Sequence, residues 1–445
     1  TFFYIRGLRL LNDKGILTFI CSNSWLDTKY GAWLQAFLIK NCMIYFIIDN
    51  QAKRSFKSVD INSIITTIGA PKIHFHDMHH AKFVVFKLPF DECIYFENLV
   101  LIDGVTEVVN YSDIKVTPIS HKQLWIDGQG SVVTRGETLA VNTDNYVGYK
   151  WGGYYLRAPK VYFDILSKAR SNLMPLKTCA KVSFGLKTGA NEFFYLTESQ
   201  INNHKIEDDY IKPIIRTPKE LVSLSMNNFA PHYYVFICND NEINSIKPGA
   251  REYIKKGEKA EVIIKQGTKK GTRIIGYHNL ESVKGNNPWW SLGAREIGDY
   301  IWFMTYRNRF LVAQNKGFIV DNRMYDMYCS SNIGILCNSA FVLLQLELLG
   351  RNYGGGGGPV DLKIYEVERV LIPRIDDPKL YGLFSELSDN KVREISFEFS
   401  GKNTARWNFD KYILSKMGIP DYMQKELYEE IVRLVDDRLN KAIST

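Results

Sequence analysis

The sequence predicts an α/β chain: a sheet-and-helix unit, then a mixed strand-rich unit, then a helical tail. Three observations carry this. Residues 1–105 alternate between helical text (FFYIRGLRLL, KYGAWLQAFLIKN) and short, continuously apolar runs (KGILTFIC, MIYFIID, INSIITTIG). Such strands belong to sheets covered on both faces. Residues 181–330 break into shorter strand-like pieces divided by glycine, asparagine and lysine, as in a mixed unit with many turns. Beyond Pro373, PKLYGLFSELSDNKVREISFEF and FDKYILSKMGIPDYMQKELYEEIVRLVDDRLNKA follow a helical period, with Gly418 and Pro420 breaking the second run into two helices.

Composition narrows the function classes. At 445 residues, 45% hydrophobic and 23% charged, the chain has the makeup of a globular protein of two to four domains. Its most apolar stretch, 333–349, is interrupted by Asn338, Gln345 and Glu347, so it falls short of the roughly 20 apolar residues of a membrane span. It reads as a buried helix, because its Leu, Phe and Val recur all round the helical cycle. The opening TFFYIRGLRLLNDKG has neither an initiator Met nor a signal-peptide cleavage site, which predicts a chain that begins inside a longer protein. Seven scattered cysteines without a CxxC pair predict reduced thiols and a cytoplasmic protein. The net charge is +8, and residues 247–273 hold nine Lys or Arg against three Glu, a local excess of 9 − 3 = +6. Polyanions are candidate partners; a solvated charged surface is the plain alternative.

Taken in order, helix 29–41 should set Trp33, Phe37 and Leu38 on one side. In DNQAKRSFKSVDI, Phe56 is either an aromatic platform or a loop residue tucked into the core, with Lys53, Arg54 and Lys57 around it to meet phosphate. In HFHDMHH, His74, His76, His79 and His80 crowd together, but no thiol or carboxylate cluster accompanies them beyond Asp77; a solvated polar turn is favoured over a metal site. KFVVFKLPF and CIYFENLVLI read as further strands, 106–160 as a mixed connecting region, and a helix starts beyond Pro159. KVSFGLKTGANEFFYLT reads as two strand arms joined at Thr188-Gly189-Ala190, a hairpin-type turn. Lys265, Lys269, Lys270 and Arg273 alternate with Gly and Thr, as on an irregular loop. Trp289 and Trp290 read as core packing rather than base stacking. Arg307, Arg309 and Arg323 lie on strand-like text, as candidates for guanine readout. Five glycines at 354–358 strip the backbone of side chains, which suits positive φ, close approach of a backbone or phosphate, or a flexible linker.

Four separated stretches resemble one family in its own order. RNYGGGGGPVDLKIYEVERVLIPRI resembles the closing part of the TaqI-like specificity domain of adenine-N6 DNA methyltransferases, and G-x-L-x-F-I-C-x-N-S-W-L followed by G-A-W-L-Q-x-F-L and I-I-D is similar to the text after their NPPY motif. Gly185, Thr188, Gly189, Asn191 and Phe194 match G-x-x-T-G-x-N-x-x-F, with Lys212, Pro213 and Arg216 in the following segment. The ending, from R-W-N-F-D-K-Y-I-L onward, is similar to the tail of large single-chain restriction-modification enzymes (Type IIG, Eco57I-like). No glycine-rich FxGxG-like loop and no NPPY, DPPY or NPPF tetrapeptide occurs.

The resemblance implies the following expectations. Residues 1–105 are the C-terminal half of a Rossmann-like methyltransferase sheet, 106–160 connect, 161–375 form an α+β target recognition domain, and 376–445 a helical C-terminal region. The chain would be part of a site-specific adenine-N6 DNA methyltransferase of restriction-modification type, with the S-adenosyl-L-methionine site and the NPPY motif lying outside it. Phe56 would stack on the flipped adenine. Lys53, Arg54, Lys187, Thr188, Asn191, Lys265, Lys269, Lys270, Arg273, Arg307, Arg309 and Arg323 would contact double-stranded DNA. KGILTFIC would have one unpaired side, to be completed by upstream polypeptide or a second chain. Two other classes stay open: a stand-alone DNA specificity subunit, and a restriction endonuclease component, for which no acidic pair with E-x-K on adjacent strands is found.

Overall fold

The structure is a computed structural model that describes residues 1–52, 63–71, 79–129, 146–226, 229–265, 268–352 and 358–440. Helix α1 (Phe2–Arg9) buries Tyr4 and Leu8. Then come β1 (Ile16–Ser22), α2 (Gly31–Asn41), β2 (Ile44–Asn50), β3 (Ser63–Gly69) and β4 (His80–Phe86). Short helices α3 (Phe90–Cys93) and α4 (Phe96–Gly104) lead to β5 (Val109–Asn110), β6 (Ile114–Ser120) and α5 (His121–Gly128). The six strands form one sheet in the order β1-β3-β2-β4-β6-β5. β3 is antiparallel to β1 and to β2, and β4 is parallel to β2. β1, β2 and β4 therefore run one way and end at Ser22, Asn50 and Phe86. The predicted α/β rhythm is the observed one.

Coverage of this sheet is uneven. Ile47, Phe83 and Val85 face the main core, while Ile48, Val84 and Phe86 face a second cluster with Cys93 and Ile102 under α3 and α4. The centre of the sheet is thus covered on both faces. β1 is not: it is the edge strand, and Ile16 and Ile20 are 56% and 52% exposed. Three further readings differ from the structure. On α2, Leu34, Leu38 and Ile39 are the buried side, whereas Trp33 is exposed and stacks on Phe37 at 5.4 Å. CIYFENLVLI is helical, and Asn98 donates back to the Cys93 carbonyl at 3.0 Å. The sheet also runs past residue 105, since β6 ends at Ser120.

A wide helical turn, Gly152–Arg157, ties this sheet to the rest. Trp151 meets Trp25 and Phe83 edge-on, both at 5.7 Å, and Tyr154 stacks on Tyr162, which stacks on Phe341. Two glycines allow the approach: a Cβ on Gly153 would lie 2.1 Å from the Leu348 carbonyl oxygen, and one on Gly152 2.5 Å from Asp27 Oδ2. Asp27 accepts from Gly153 N and pairs with Arg157, which also donates to Leu348 O.

Helix α6 (Lys160–Ala169) starts just past Pro159 as expected, followed by β7 (Leu173–Pro175), β8 (Ala180–Phe184), α7 (Asn191–Phe194), β9 (Tyr195–Leu196), α8 (Glu198–His204), β10 (Ile211–Ile215) and β11 (Tyr233–Phe236). Next are α9 (Pro248–Lys259), β12 (Glu261–Ile263), β13 (Arg273–Ile275), β14 (Tyr300–Phe303), β15 (Thr305–Tyr306), β16 (Val312–Gln314), β17 (Ile319–Val320) and β18 (Met324–Cys329). β8 joins β18, β14 and β16 in one four-stranded sheet, whereas β9 joins β11, β10 and β17 in another. The segment around Thr188 is therefore a crossing between two sheets, not a hairpin. The second sheet has its own core, where Phe193, Phe236, Ile254, Trp289 and Trp290 pack. The two tryptophans are core residues, their indole N–H groups donating to Glu258 and to the Asp240 carbonyl.

The apolar run folds as α10 (Ser331–Leu336) and α11 (Ala340–Leu349), and every residue of α11 is buried. All of α11 lies within the main core, where each large apolar side chain contributes roughly 1.5–3 kcal/mol. Its two polar residues have partners: Gln345 bonds both backbone groups of Leu371, and Glu347 meets Arg438 and Tyr306. β19 (Arg351–Asn352) and β20 (Val360–Asp361) flank the glycines, of which 354–357 lie outside the described residues. α12 (Ile364–Val367), β21 (Leu371–Pro373), α13 (Lys379–Ser388), α14 (Ile395–Glu398), α15 (Thr404–Lys416) and α16 (Tyr422–Asn440) complete the helical end. Gly418 sits at φ +74° in the predicted break.

Candidate nucleic-acid interface

Several of the predicted cations, Lys187, Lys265, Lys269, Lys270, Arg273 and Arg323, lie on turns or on a hairpin beside the four-stranded sheet β17-β10-β11-β9. β10 and β17 are parallel and end at Ile215 and Val320, so the next residues, Arg216 and Asp321, leave the sheet side by side, joined by Asp321 N to Ile215 O at 2.9 Å. Leu186 bridges to Asp321, which brings in the turn that follows. In that turn Gly189 adopts φ +73°, its carbonyl accepts from Ser282 Oγ at 2.6 Å, and the Thr188 hydroxyl donates to Asn191 Oδ1 while accepting from Ala190 N.

Lys187 and Asn191 are exposed on this turn. Thr188 is not: it is 2% exposed, and its hydroxyl holds the turn together. The β12–β13 hairpin lies alongside. Lys265 pairs with Glu192 of the turn, Lys269 with Glu281 at 3.7 Å, and Arg273 with Glu261 at 2.9 Å. All three cations are exposed, as is Lys270. Exposed pairs of this kind are weak and readily exchanged for another anion. Hydrogen bonding to Glu192 raises the pKa of Lys265, which keeps the ammonium charged.

The three arginines read as strand residues sit in turns. Arg323 is exposed in the turn between β17 and β18, its backbone N–H donating to Asp321 Oδ1 at 3.0 Å. Arg307 is exposed after β15, its carbonyl taken by Arg438. Arg309 donates to the carbonyls of Leu221 and Pro218 at 2.6 and 3.3 Å, so its head group braces the 217–221 loop rather than lying on a strand face as expected for guanine readout.

The sequence offers no sign of Tyr195 and Tyr233 as organisers of the rim, and marks Arg216 only through the family-like segment. Tyr195, 5% exposed, donates its hydroxyl to Asp321 Oδ2 at 2.6 Å, and burial, with Asp321 beside it, pushes the phenol pKa up so that it remains a donor. The Arg216 guanidinium lies over Tyr233 at 4.1 Å and Tyr195 at 5.2 Å. No local signal marks this, because the partners come from three strands.

The other candidate region is the carboxyl rim of the first sheet, where ligands of open α/β sheets bind. Phe56, Lys53 and Arg54 follow β2 and lie outside the described residues, as do His74 and His76. Asn50, at the end of β2, donates to Leu88 O and accepts from Ala52 N. His79 bonds the Ile44 carbonyl and meets His121 edge-on at 5.1 Å. Among the described residues no three His, Cys, Asp or Glu side chains are placed to share a metal ion. The described loops after β1 and β4, 23–30 and 87–89, contain no glycine, and most of the loop after β2, residues 53–62, lies outside the described residues.

Residues 148–399, more than half of the chain, match the family model for the Type II methyltransferase M.Eco57I, C-terminal domain. The chain belongs to this family. Residues 1–56 match the Eco57I restriction-modification methylase model. The Type II methyltransferase M.AccI of Acinetobacter calcoaceticus is 23% identical over 305 residues, covering 66% of this chain and 46% of that protein. Among solved structures, the type IIG restriction endonuclease BpuSI aligns with a TM-score of 0.48 at 13% identity, over 98% of this chain and 48% of its own. The Type IIL restriction-modification enzyme MmeI, solved in complex with DNA, aligns at 0.46 and 12% identity, over 99% and 49%. The chain thus spans about half the length of these relatives. The M.Eco57I C-terminal-domain match takes in the whole cationic lobe and begins just before Trp151, at the junction with the first sheet.

Proposed function

We propose that this chain is the DNA-reading portion of a site-specific adenine-N6 DNA methyltransferase of restriction-modification type, working in the cytoplasm on double-stranded DNA. The observation that carries the reading is the gathering of Lys187, Asn191, Lys265, Lys269, Lys270, Arg273 and Arg323 around one small sheet, on turns braced by Ser282, Asp321 and Glu192. Positively charged turns on a rigid support are suited to a phosphate backbone. In this reading the TaqI-like specificity region corresponds to residues 161–375, and the six-stranded sheet is the second half of a cofactor-binding sheet whose β1 edge is met by upstream polypeptide or a second chain. The adenine leaves the duplex, Phe56 stacks on it, and its N6 attacks the methyl donor directly. S-adenosyl-L-methionine supplies that methyl group when bound, by residues outside this chain.

Two measurements test the reading. The 445-residue chain should retard a mixed-sequence duplex pool in a gel, the complex dissociating steeply as salt rises; failure to bind any duplex at low salt overturns it. Incubated with labelled S-adenosyl-L-methionine and duplex DNA, the chain alone should transfer no label, and measurable transfer would refute the assignment of the cofactor site elsewhere.

A further inference from the structure

We propose that Arg216 reads the DNA: its guanidinium, held over two tyrosine rings, is a preset fork for a paired acceptor on the duplex, either two phosphate oxygens or the O6/N7 edge of a guanine. The inference rests on the reading of this lobe as a DNA-binding surface and adds to it a residue and a chemistry.

The argument begins with what holds the side chain. Arg216 is the first residue past β10, and Tyr195 of β9 and Tyr233 of β11 offer their ring faces to its guanidinium at 5.2 and 4.1 Å. Each contact is a cation–π attraction. Two of them, from strands of one sheet, remove most of the rotamer freedom a long side chain otherwise loses on binding. The backbone is held as well: Glu220 Oε1 accepts from the N–H groups of Arg216 and Thr217 at 3.0 and 2.8 Å. Tyr195 is in turn fixed by its bond to Asp321.

Next is what the side chain lacks. A guanidinium carries five N–H donors, and among the described residues those of Arg216 have no hydrogen bond or ion pair, only the ring contacts. Arg309, which braces the same loop, spends its donors on the Leu221 and Pro218 carbonyls. An arginine that served only to staple β10 to its neighbours would be engaged as Arg309 is. Arg216 is stacked instead, and the residue is only partly buried. That arrangement suits bidentate recognition, which depends on planarity and direction rather than on charge alone.

The surroundings favour an anionic partner. Lys187, Lys219 and Arg323 are exposed in the same rim; of the two acids, Asp321 accepts from Tyr195 and from Arg323 N–H, and Glu220 Oε1 accepts from Arg216 and Thr217 N–H while its Oε2 is buried without a hydrogen-bond partner among the described residues.

The test uses the full 445-residue chain, a mixed-sequence duplex pool, and the variants R216Q and R216K. R216Q should bind the pool about tenfold more weakly than the wild type, in the range set by a lost bidentate contact. If the acceptor is a guanine edge, R216K falls with R216Q and sequencing of the bound fraction shows a relaxed preference. With phosphate as the acceptor, R216K stays within about twofold, the loss is uniform across sequences, and the salt slope of R216Q drops by about one. A folded R216Q that binds as the wild type does, with the same bound sequences, overturns the proposal. Should R216Q melt below the assay temperature, phenylglyoxal modification of the wild type decides instead: duplex should shield Arg216 from the reagent, and equal modification with and without duplex overturns the proposal. Failure of the wild type to bind the pool would sink the parent reading; binding by the wild type with an indifferent Arg216 sinks only this one.

Discussion

At the scale of single residues, the main core is held by charges as well as by apolar packing. Glu347 and Arg438, each 3% exposed, form a two-pronged pair that Tyr306 completes, and Arg438 also donates to the carbonyls of Arg307 and Gly358. Removing one member leaves the other buried and uncompensated, so Glu347→Leu should lower the urea-unfolding free energy by about 3–5 kcal/mol. The double variant with Arg438→Met should recover much of that; equal losses for single and double variants would contradict the coupling. Lys115 tests the same physics through pH. Its ammonium lies under the carbonyls of Leu156 and Ala158, and burial, with Arg433 adding to it, lowers its pKa to about 7. In the unfolded chain the lysine holds its proton to about pH 10.4. Between those values the unfolded state binds more protons, so the contribution of this group to stability rises with pH, its full penalty being present below about pH 7. The melting temperature of the wild type minus that of Lys115→Met should therefore climb from pH 7 to pH 9.5, and a flat difference would contradict the assignment. Residue roles were the least legible level of the sequence. Thr188 and Arg309 have the composition of contact residues, yet one closes its own turn and the other braces a loop; spacing does not encode which polar head finds a carbonyl first.

Among elements, the turn Gly152–Arg157 and strand β1 carry the most consequence. Gly153 lies against a backbone carbonyl that cannot swing aside. Gly153→Ala should destabilise by about 1–3 kcal/mol in urea unfolding, whereas substitution at the open Gly382, with nothing within 4 Å of the added Cβ, should be close to neutral. Strand β1 presents Ile16 and Ile20 along an edge paired on one side only among the described residues. Exposed apolar edges recruit other chains, so mass by light scattering should rise with concentration in the wild type and less in Ile16→Lys/Ile20→Lys; identical curves would count against it. Element types were largely readable. The β1–α2–β2 rhythm, the buried 333–349 run and the helical end follow from hydrophobic period alone. CIYFENLVLI did not, because a short apolar run has no period to separate strand from helix. The Thr188 segment misled for another reason: a glycine turn between apolar arms looks alike whether the arms pair or part to different sheets.

For the molecule as a whole, family membership rests on residues 148–399, and the cationic lobe lies within them. The division of labour proposed here puts DNA recognition in that lobe and leaves methyl donation to residues outside the chain. The lobe's charge was visible as the +6 excess over 247–273. Its focus was not, since the turns that gather Lys187, Lys265 and Arg323 come from separate strands. The most direct test is a titration of duplex DNA by the chain across a salt series, beside the variant Lys265→Glu/Lys269→Glu/Lys270→Glu. The account predicts that log K falls linearly with log salt for the wild type and that the slope becomes shallower by about three in the variant. A wild-type affinity indifferent to salt, or a variant that binds with the same slope, would contradict it.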